Sequence, residues 1–401
     1  MHKERDYIGS TLLTLLLITI FAFSSCIKSE KPTKSRNIKH TIVVYLAADN
    51  NLYSYVDGNL YDIRRAMNPK LSLSTNVVVF VDRFDKRQPA LLSIHDNKID
   101  TLKVYNSEIN SVDVREMSNI LREIATEYGS ETMGLVLWSH GNSWINWEML
   151  NYVAPSMYRV AERPSYAFGY DERHREWMDI DSLKSAIPED MFEYIIFDAC
   201  YMGSIEVAYA LKDRCDWLIS SAVEIMGYGF PYISTITSLS DKDYSAVCDG
   251  YYRYYNSKSG ESRTATISLV DCTELDSLAN CFKKIVAKYG GMIKEIDISQ
   301  LQRLDRFDRG VAFDMVDYIE HLIPQSDTLL LQEFCKQFYR AVPQCQATEQ
   351  WLGEYDINTF CGLSIYVPTA KNIGVLPYYR LTDWSKETEY GFNIENSITN
   401  N

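Results

Sequence analysis

Two side chains sixty residues apart have the chemistry to work as a pair. His140 closes the apolar run Gly134-Leu135-Val136-Leu137-Trp138-Ser139, and Cys200 closes Tyr194-Ile195-Ile196-Phe197-Asp198-Ala199. An imidazole that takes the proton of a thiol leaves a thiolate, the nucleophilic form of cysteine, which can attack a carbonyl carbon. Each residue also has a plainer reading, as a packed thiol or as an imidazole bonded into a turn. Gly141 has no side chain to keep its N–H from a ligand, so with the N–H of Cys200 it could form an oxyanion hole. Asp198 lies two residues before Cys200 and points to the same side of the strand. There it could work with the thiol, or it could cap a local turn. A helix beginning near Ser204 would bring positive N–H ends towards the thiol and favour the thiolate. The other histidines fit less well: His40 precedes the first strand, His95 ends a weak apolar segment, His174 is in a charged loop and His321 falls on an exposed helix turn.

The elements that must position this pair are legible as alternating strands and helices. Thr41–Ala48 and Asn76–Val81 are continuous apolar runs, the pattern of strands buried on both faces, with helical period over Asp57–Met67 between them. A hairpin pattern covers Ala90–Val104, and Val112–Tyr128 is helical ahead of the His140 strand. A further helix is expected over Ser204–Lys212 and a strand over Trp217–Ser221. This order specifies an α/β fold, a mostly parallel sheet with helices on both faces, in which ligands gather at the carboxyl ends of strands. From about residue 239 longer helical patterns dominate, around Tyr244–Ser257, Leu275–Lys288 and Leu329–Ala341. A late strand, Gly362–Val367, is expected to return to the sheet or lie beside it. The expected organisation is an export signal over 1–25, a tether over 26–39, a core over 40–238 and a helical lobe over 239–401. Between Gly141 and Met178 lies a long aperiodic stretch, and a loop of that length is usually functional.

The signal reading rests on Lys3 and Arg5, an apolar stretch to Phe23, and small residues before Cys26. It resembles a bacterial lipoprotein signal, which implies acylation of Cys26 and a lipid-anchored domain in the cell envelope, outside the cytoplasm. The competing reading is an uncleaved anchor. The net charge of −14 is unchanged by removal of residues 1–25 and argues against nucleic acid as a partner. With Cys26 lipidated, eight cysteines remain; there is no Cys-x-x-Cys, no zinc spacing and no EF-hand loop, so no metal ligand is expected. Apart from Cys200 they read as buried apolar residues, with disulfides as the alternative.

Taken together, Leu-Trp-Ser-His-Gly at 137–141, Phe-Asp-Ala-Cys at 197–200 with Met202 and Glu206, the run from Ser221 to Tyr232, and Gly362–Pro368 resemble the clostripain-like cysteine peptidases of the caspase-like clan. The resemblance implies a caspase-like fold, a catalytic dyad of His140 and Cys200, and Asp198 at the floor of an S1 pocket with Glu224 and Tyr228. It implies peptide or protein substrates cleaved after Arg or Lys. Relatives can carry an acidic residue where this chain has Tyr228, which would favour arginine over lysine. Calcium, which some relatives use, stays open; no cofactor is otherwise expected, and the chain is expected to act as a monomer. Relatives are often activated by a cut in the loop after the histidine, so self-processing is expected after Arg159, Arg163, Arg173 or Arg175; the alternative is a solvated loop that is never cut. The rival reading is an inactive peptide-binding lipoprotein of the same fold. A serine hydrolase is disfavoured, because no Gly-x-Ser-x-Gly elbow occurs.

Overall fold

The computed structural model describes residues 37–106, 109–156 and 167–393, and residues from Ile38 onward form one compact unit. Its centre is β1 (His40–Ala48), every residue of which is buried. Val43, Tyr45 and Ala47 enter the core on one face of the sheet, while Ile42, Val44, Leu46 and Ala48 enter the other. Two-sided burial is why the strand reads as an unbroken apolar run rather than as an alternation.

Around it lie β2 (Thr75–Arg83), the hairpin β3 (Ala90–His95) and β4 (Lys98–Val104), and β5 (Thr132–Trp138). Beyond a small hairpin of β6 (Phe168–Asp171) and β7 (Glu176–Met178) come β8 (Tyr194–Asp198), β9 (Trp217–Ser220) and β10 (Thr266–Asp271). β11 (Ala312–Asp314), β12 (Gln344–Ala347), the short pair β13 (Gln350–Trp351) and β14 (Tyr355–Asp356), and β15 (Ser364–Tyr366) complete the set. The main sheet has nine strands in the order β12-β10-β9-β8-β5-β1-β2-β3-β4. Its five central strands, β9, β8, β5, β1 and β2, run parallel, and the strands outside them on each side are antiparallel. The chain runs from β1 to β2 on one side and then crosses to β5 on the other, which opens a crevice at the carboxyl ends of β1 and β5.

Helices cover both faces, as expected. Val56–Ala66, Tyr232–Ser240 and Tyr244–Asn256 pack on one; Val114–Tyr128, Ile205–Leu211 and Leu275–Tyr289 pack on the other. Helix Val114–Tyr128 shows the cause: Asp113 accepts from the N–H groups of Arg115 and Glu116 at its start, and Met117, Ile120, Leu121 and Ile124 line one buried stripe.

Two features depart from the sequence reading. The C-terminal half places two strands in the main sheet, β10 and β12, while the expected late strand, β15, pairs with β11 in a separate ribbon. β10 and β12 are short and sit among long helices, so their period is masked by that of their neighbours. The stretch after Gly141 is also more ordered than its composition suggests, since it holds helix Trp147–Val153 and the β6–β7 hairpin.

Candidate active site

Strands β5 and β8 are adjacent and in register, with Trp138 opposite Asp198. His140 and Cys200 each follow two residues later, so the fold sets them side by side at the carboxyl edge. Gly141 shows how close the two strand ends come. A Cβ added there would collide with the Cys200 carbonyl oxygen and lie 3.1 Å from both Ala199 Cβ and Met202 Sδ. Gly141 also bridges to Phe168, with Gly169 N–H donating to His140 C=O (2.9 Å) and Asn142 N–H to Ala167 C=O (3.1 Å). In that pattern the Gly141 N–H is left over, and among the described residues neither it nor the Cys200 N–H has an acceptor. Two free donors beside a thiol are what an oxyanion needs.

The imidazole is oriented by a residue that the sequence did not single out. His140 Nε2 lies 2.7 Å from Asn51 Oδ1, in the turn that ends β1. A carboxamide oxygen only accepts, so Nε2 carries the proton and Nδ1 is left as the base. Burial lowers the imidazole to about 4. The thiol moves the other way: burial pushes Cys200 up to about 12, and the neighbouring Glu224 carboxylate adds to the rise. At neutral pH both groups are therefore uncharged. Tyr201 turns the chain through a left-handed conformation (φ 61°) before helix Ile205–Leu211 starts. No hydrogen bond joins the thiol to the imidazole; Sγ instead faces the N–H (3.4 Å) and C=O (3.8 Å) of Ile225.

Asp198 is buried under the segment 228–232. Its Oδ2 accepts from Tyr232 OH (2.7 Å) and Phe230 N–H (3.1 Å), while Oδ1 has no partner. Gly229 (φ +70°) passes so near that any Cβ there would strike the carboxylate. Burial raises this acid to about 6, against the pull of Tyr232 and Phe230. Asp198 thus secures a turn and still keeps one oxygen free. Tyr228 is largely exposed and meets the edge of Tyr55. Both line a cleft of about 590 Å³ with Tyr61, Phe230 and Tyr254. Glu224 is already engaged, in a bidentate pair with Arg306 (2.8–3.0 Å).

Of the other residues singled out in the sequence, Arg159, Arg163 and Cys26 lie outside the described residues. Arg173 is drawn into a cluster of acids, 3.0 Å from Asp49 and 3.7 Å from Asp82. Arg175 has a left-handed backbone in the β6–β7 turn. The eight remaining cysteines are separate thiols, with Cys215 and Cys272 Sγ atoms 3.9 Å apart. His40 sits at the opposite end of the sheet from Cys200, bonded to Thr132 and Tyr194. The sequence reading also missed that Asp49, just after β1, Asp82, next to last in β2, and Asp171, last in β6, meet in one cluster. Burial and mutual repulsion push Asp49 up to about 7 and Asp82 to about 8.

A mixed sheet between two helical layers, with a cysteine and a histidine at neighbouring strand ends, places the chain among the caspase-like proteases. Within that class it belongs to the clostripain family, whose sequence model matches residues 44–390. Clostripain of Hathewaya histolytica is 24% identical over 238 residues, 51% of this chain but only 43% of that relative. The chain thus covers less than half of the curated relative's length. An inactive zymogen protease of this family from Parabacteroides distasonis superposes with a TM-score of 0.76, at 27% identity over 89% of this chain and 99% of that one. A secreted cysteine protease of the family from Bacteroides thetaiotaomicron gives 0.74, at 30% identity over 88% and 99%.

Proposed function

We propose that this chain is a cysteine endopeptidase that cleaves after arginine, and less well after lysine, using Cys200 and His140. The carrying observation is the close seating of Gly141 on the Cys200 carbonyl, which brings thiol, imidazole and two unused N–H donors to one edge of the sheet. As Sγ attacks the scissile carbonyl carbon, its proton passes to His140 Nδ1, and the developing oxyanion is held by the N–H groups of Gly141 and Cys200. The imidazolium then protonates the departing amine, and water drawn across by the same nitrogen hydrolyses the thioester. Asn51 keeps the ring in the tautomer these steps require. Asp198, with its unpaired buried oxygen, supports recognition of a basic P1 side chain.

We further propose that the domain is tethered outside the cytoplasm by a lipid on Cys26, and that it is activated by a cut after Arg159, Arg163 or Arg175. Arg173 is the poorest candidate of the four, because its guanidinium is committed to Asp49. The test is turnover of fluorogenic peptides differing only at P1, with Cys200→Ala as control. Cleavage after Arg that vanishes in Cys200→Ala is expected; binding of the same peptides with no turnover by any processed form would favour the peptide-binding reading.

A further inference from the structure

Cys215 and Cys272 stand 57 positions apart in the chain, yet their Sγ atoms are 3.9 Å apart. The sheet brings them together. β9 and β10 run antiparallel with Trp217 opposite Asp271, and Cys272 N–H carries the ladder one step further by donating to Asp216 C=O (2.8 Å). Cys215 is the next residue out, so the two cysteines leave neighbouring strands on a diagonal, and both side chains enter the same core. Such neighbours fall within the reach of a disulfide, whose Cα atoms are usually about 4.4–6.8 Å apart. Neither thiol is inside a strand. Cys215 follows the turn after helix Ile205–Leu211, and Cys272 opens the short turn 272–274 before helix Leu275–Tyr289. Side-chain rotation there can close the remaining gap of about 2 Å without breaking a ladder bond.

The two sulfurs differ in what can reach them. Cys215 lines a cleft of about 710 Å³ at the amino ends of β5, β8 and β9, together with Thr132, Met133, Phe192 and Arg214. Cys272, 3% exposed against 7% for Cys215, is the deeper one. Contact with Cys215, and then burial, hold the Cys272 thiol well above its ordinary value, so it keeps its proton until a partner is beside it. That division suits stepwise thiol–disulfide exchange. Cys215, as thiolate, attacks one sulfur of a disulfide oxidant in the cleft, forming a mixed disulfide and expelling the first oxidant thiolate. Cys272 Sγ, losing its proton, then attacks Cys215 Sγ and expels the second. Two protein thiols give up two electrons and two protons, and the oxidant disulfide becomes two thiols. The position gives such a bond a task. The loop it would close holds β9, the 221–232 segment that covers Asp198, and helices Tyr232–Ser240 and Tyr244–Asn256. Closing so long a loop restricts the unfolded chain. Because β9 runs parallel to β8, the bond would lie at the end of the sheet away from Cys200.

We propose that Cys215 and Cys272 form a disulfide by exchange with a disulfide oxidant, stapling β9 to β10. The pairing stands on its own geometry; only the oxidising surroundings rest on the export proposed above, and the test supplies the oxidant itself. Full-length Cys200→Ala protein is reduced, freed of reductant and incubated with oxidised glutathione. Peptide mapping without reduction is expected to find the peptide holding Cys215 joined to that holding Cys272, lighter than their sum by the lost hydrogens. The melting temperature should rise by about 5 °C over the reduced protein and fall back with dithiothreitol. Cys215→Ser should lose both the link and the rise, while Cys281→Ser should keep both. If Cys215→Ser does not fold, the linked peptide and the reversal by dithiothreitol in the parent decide the matter. Cys215 and Cys272 left free or merely glutathionylated, or either one joined to a different cysteine, would overturn the pairing. A complete link with an unchanged melting temperature would overturn the staple.

Discussion

Replacing Asp198 by asparagine isolates charge from shape. The carboxylate Oδ2 accepts from Tyr232 OH and Phe230 N–H, and an asparagine oxygen can take both bonds; the new NH2 then falls on the Oδ1 side, where no donor now sits. The turn at 228–232 should therefore persist. What is lost is the negative charge that would meet a basic P1 group in a desolvated pocket, and leaving such a group unpaired costs about 2–5 kcal/mol, or roughly 30- to 4,000-fold. With Asp198 only 2% exposed, we expect a loss of about 100- to 1,000-fold in kcat/KM for Arg at P1, and less than about fivefold for an uncharged P1. The pH profile adds an independent readout. Because burial lifts this acid to about 6, wild-type cleavage after Arg should decline as pH falls through 6, where the binding carboxylate takes up a proton. His140, lowered to about 4, contributes nothing to that limb. The assay is initial-rate turnover of peptides matched except at P1, from pH 4.5 to 8. Equal losses for charged and uncharged P1, or an acid limb near 6 that survives in Asp198→Asn, would refute the reasoning.

Asn51→Ala removes the acceptor that sets the His140 tautomer without touching substrate. We expect kcat to fall about 10- to 100-fold with KM nearly unchanged, since orientation is used only as the proton moves; a rise in KM alone would point to a binding role. Glu206 is a buried acid raised by burial to about 7, with Oε1 accepting from Tyr366 N–H (2.9 Å). A folded-state value above the unfolded one stabilises the protein fully below about 4.5 and loses that stabilisation as pH rises through 7, a change of roughly 3 kcal/mol. Relative to Glu206→Gln, the wild type should lose stability between pH 5 and 8 in urea titrations, and parallel curves would remove the assignment. Cys26→Ala should block lipidation and release the protein from the membrane fraction, whereas unchanged fractionation would favour a plain anchor.

The parts of this molecule that were legible in the sequence are those whose signal is local. β1, β2, β5 and β8 announce themselves because burial on both faces demands uninterrupted apolar residues, and His140 and Cys200 stand out as the polar stops of such runs. Helices 244–256, 275–289 and 328–341 match their expected spans within a residue or two because their stripes repeat. What was hidden depends on crossings between distant segments. Asn51 is one polar residue in an Asp-Asn-Asn turn, and nothing near it reports an imidazole 89 positions later. Arg306 is an ordinary loop arginine until the fold lays it on Glu224. Asp49 and Asp82 are single acids at the ends of two apolar runs, and their convergence with Asp171 exists only in three dimensions. Helix onset after Cys200 is visible locally, whereas the desolvation of its thiol and the nearness of Glu224 are not.

The matched register of β5 and β8 acts as a ruler. The distance between Cys200 and His140 is set by two dipeptides, Ser139-His140 and Ala199-Cys200, measured from a fixed pair, Trp138 and Asp198. Chain length elsewhere does not enter it. An insertion between helix Trp147–Val153 and β6 would lengthen a connection without shifting either group, and its entropic cost grows only slowly with length. One residue added between Trp138 and His140 would displace the imidazole by about 3.3 Å and reverse the side it faces. Lineages built on this sheet are therefore free to vary its connecting segments, while two short strand exits tolerate no change in length at all.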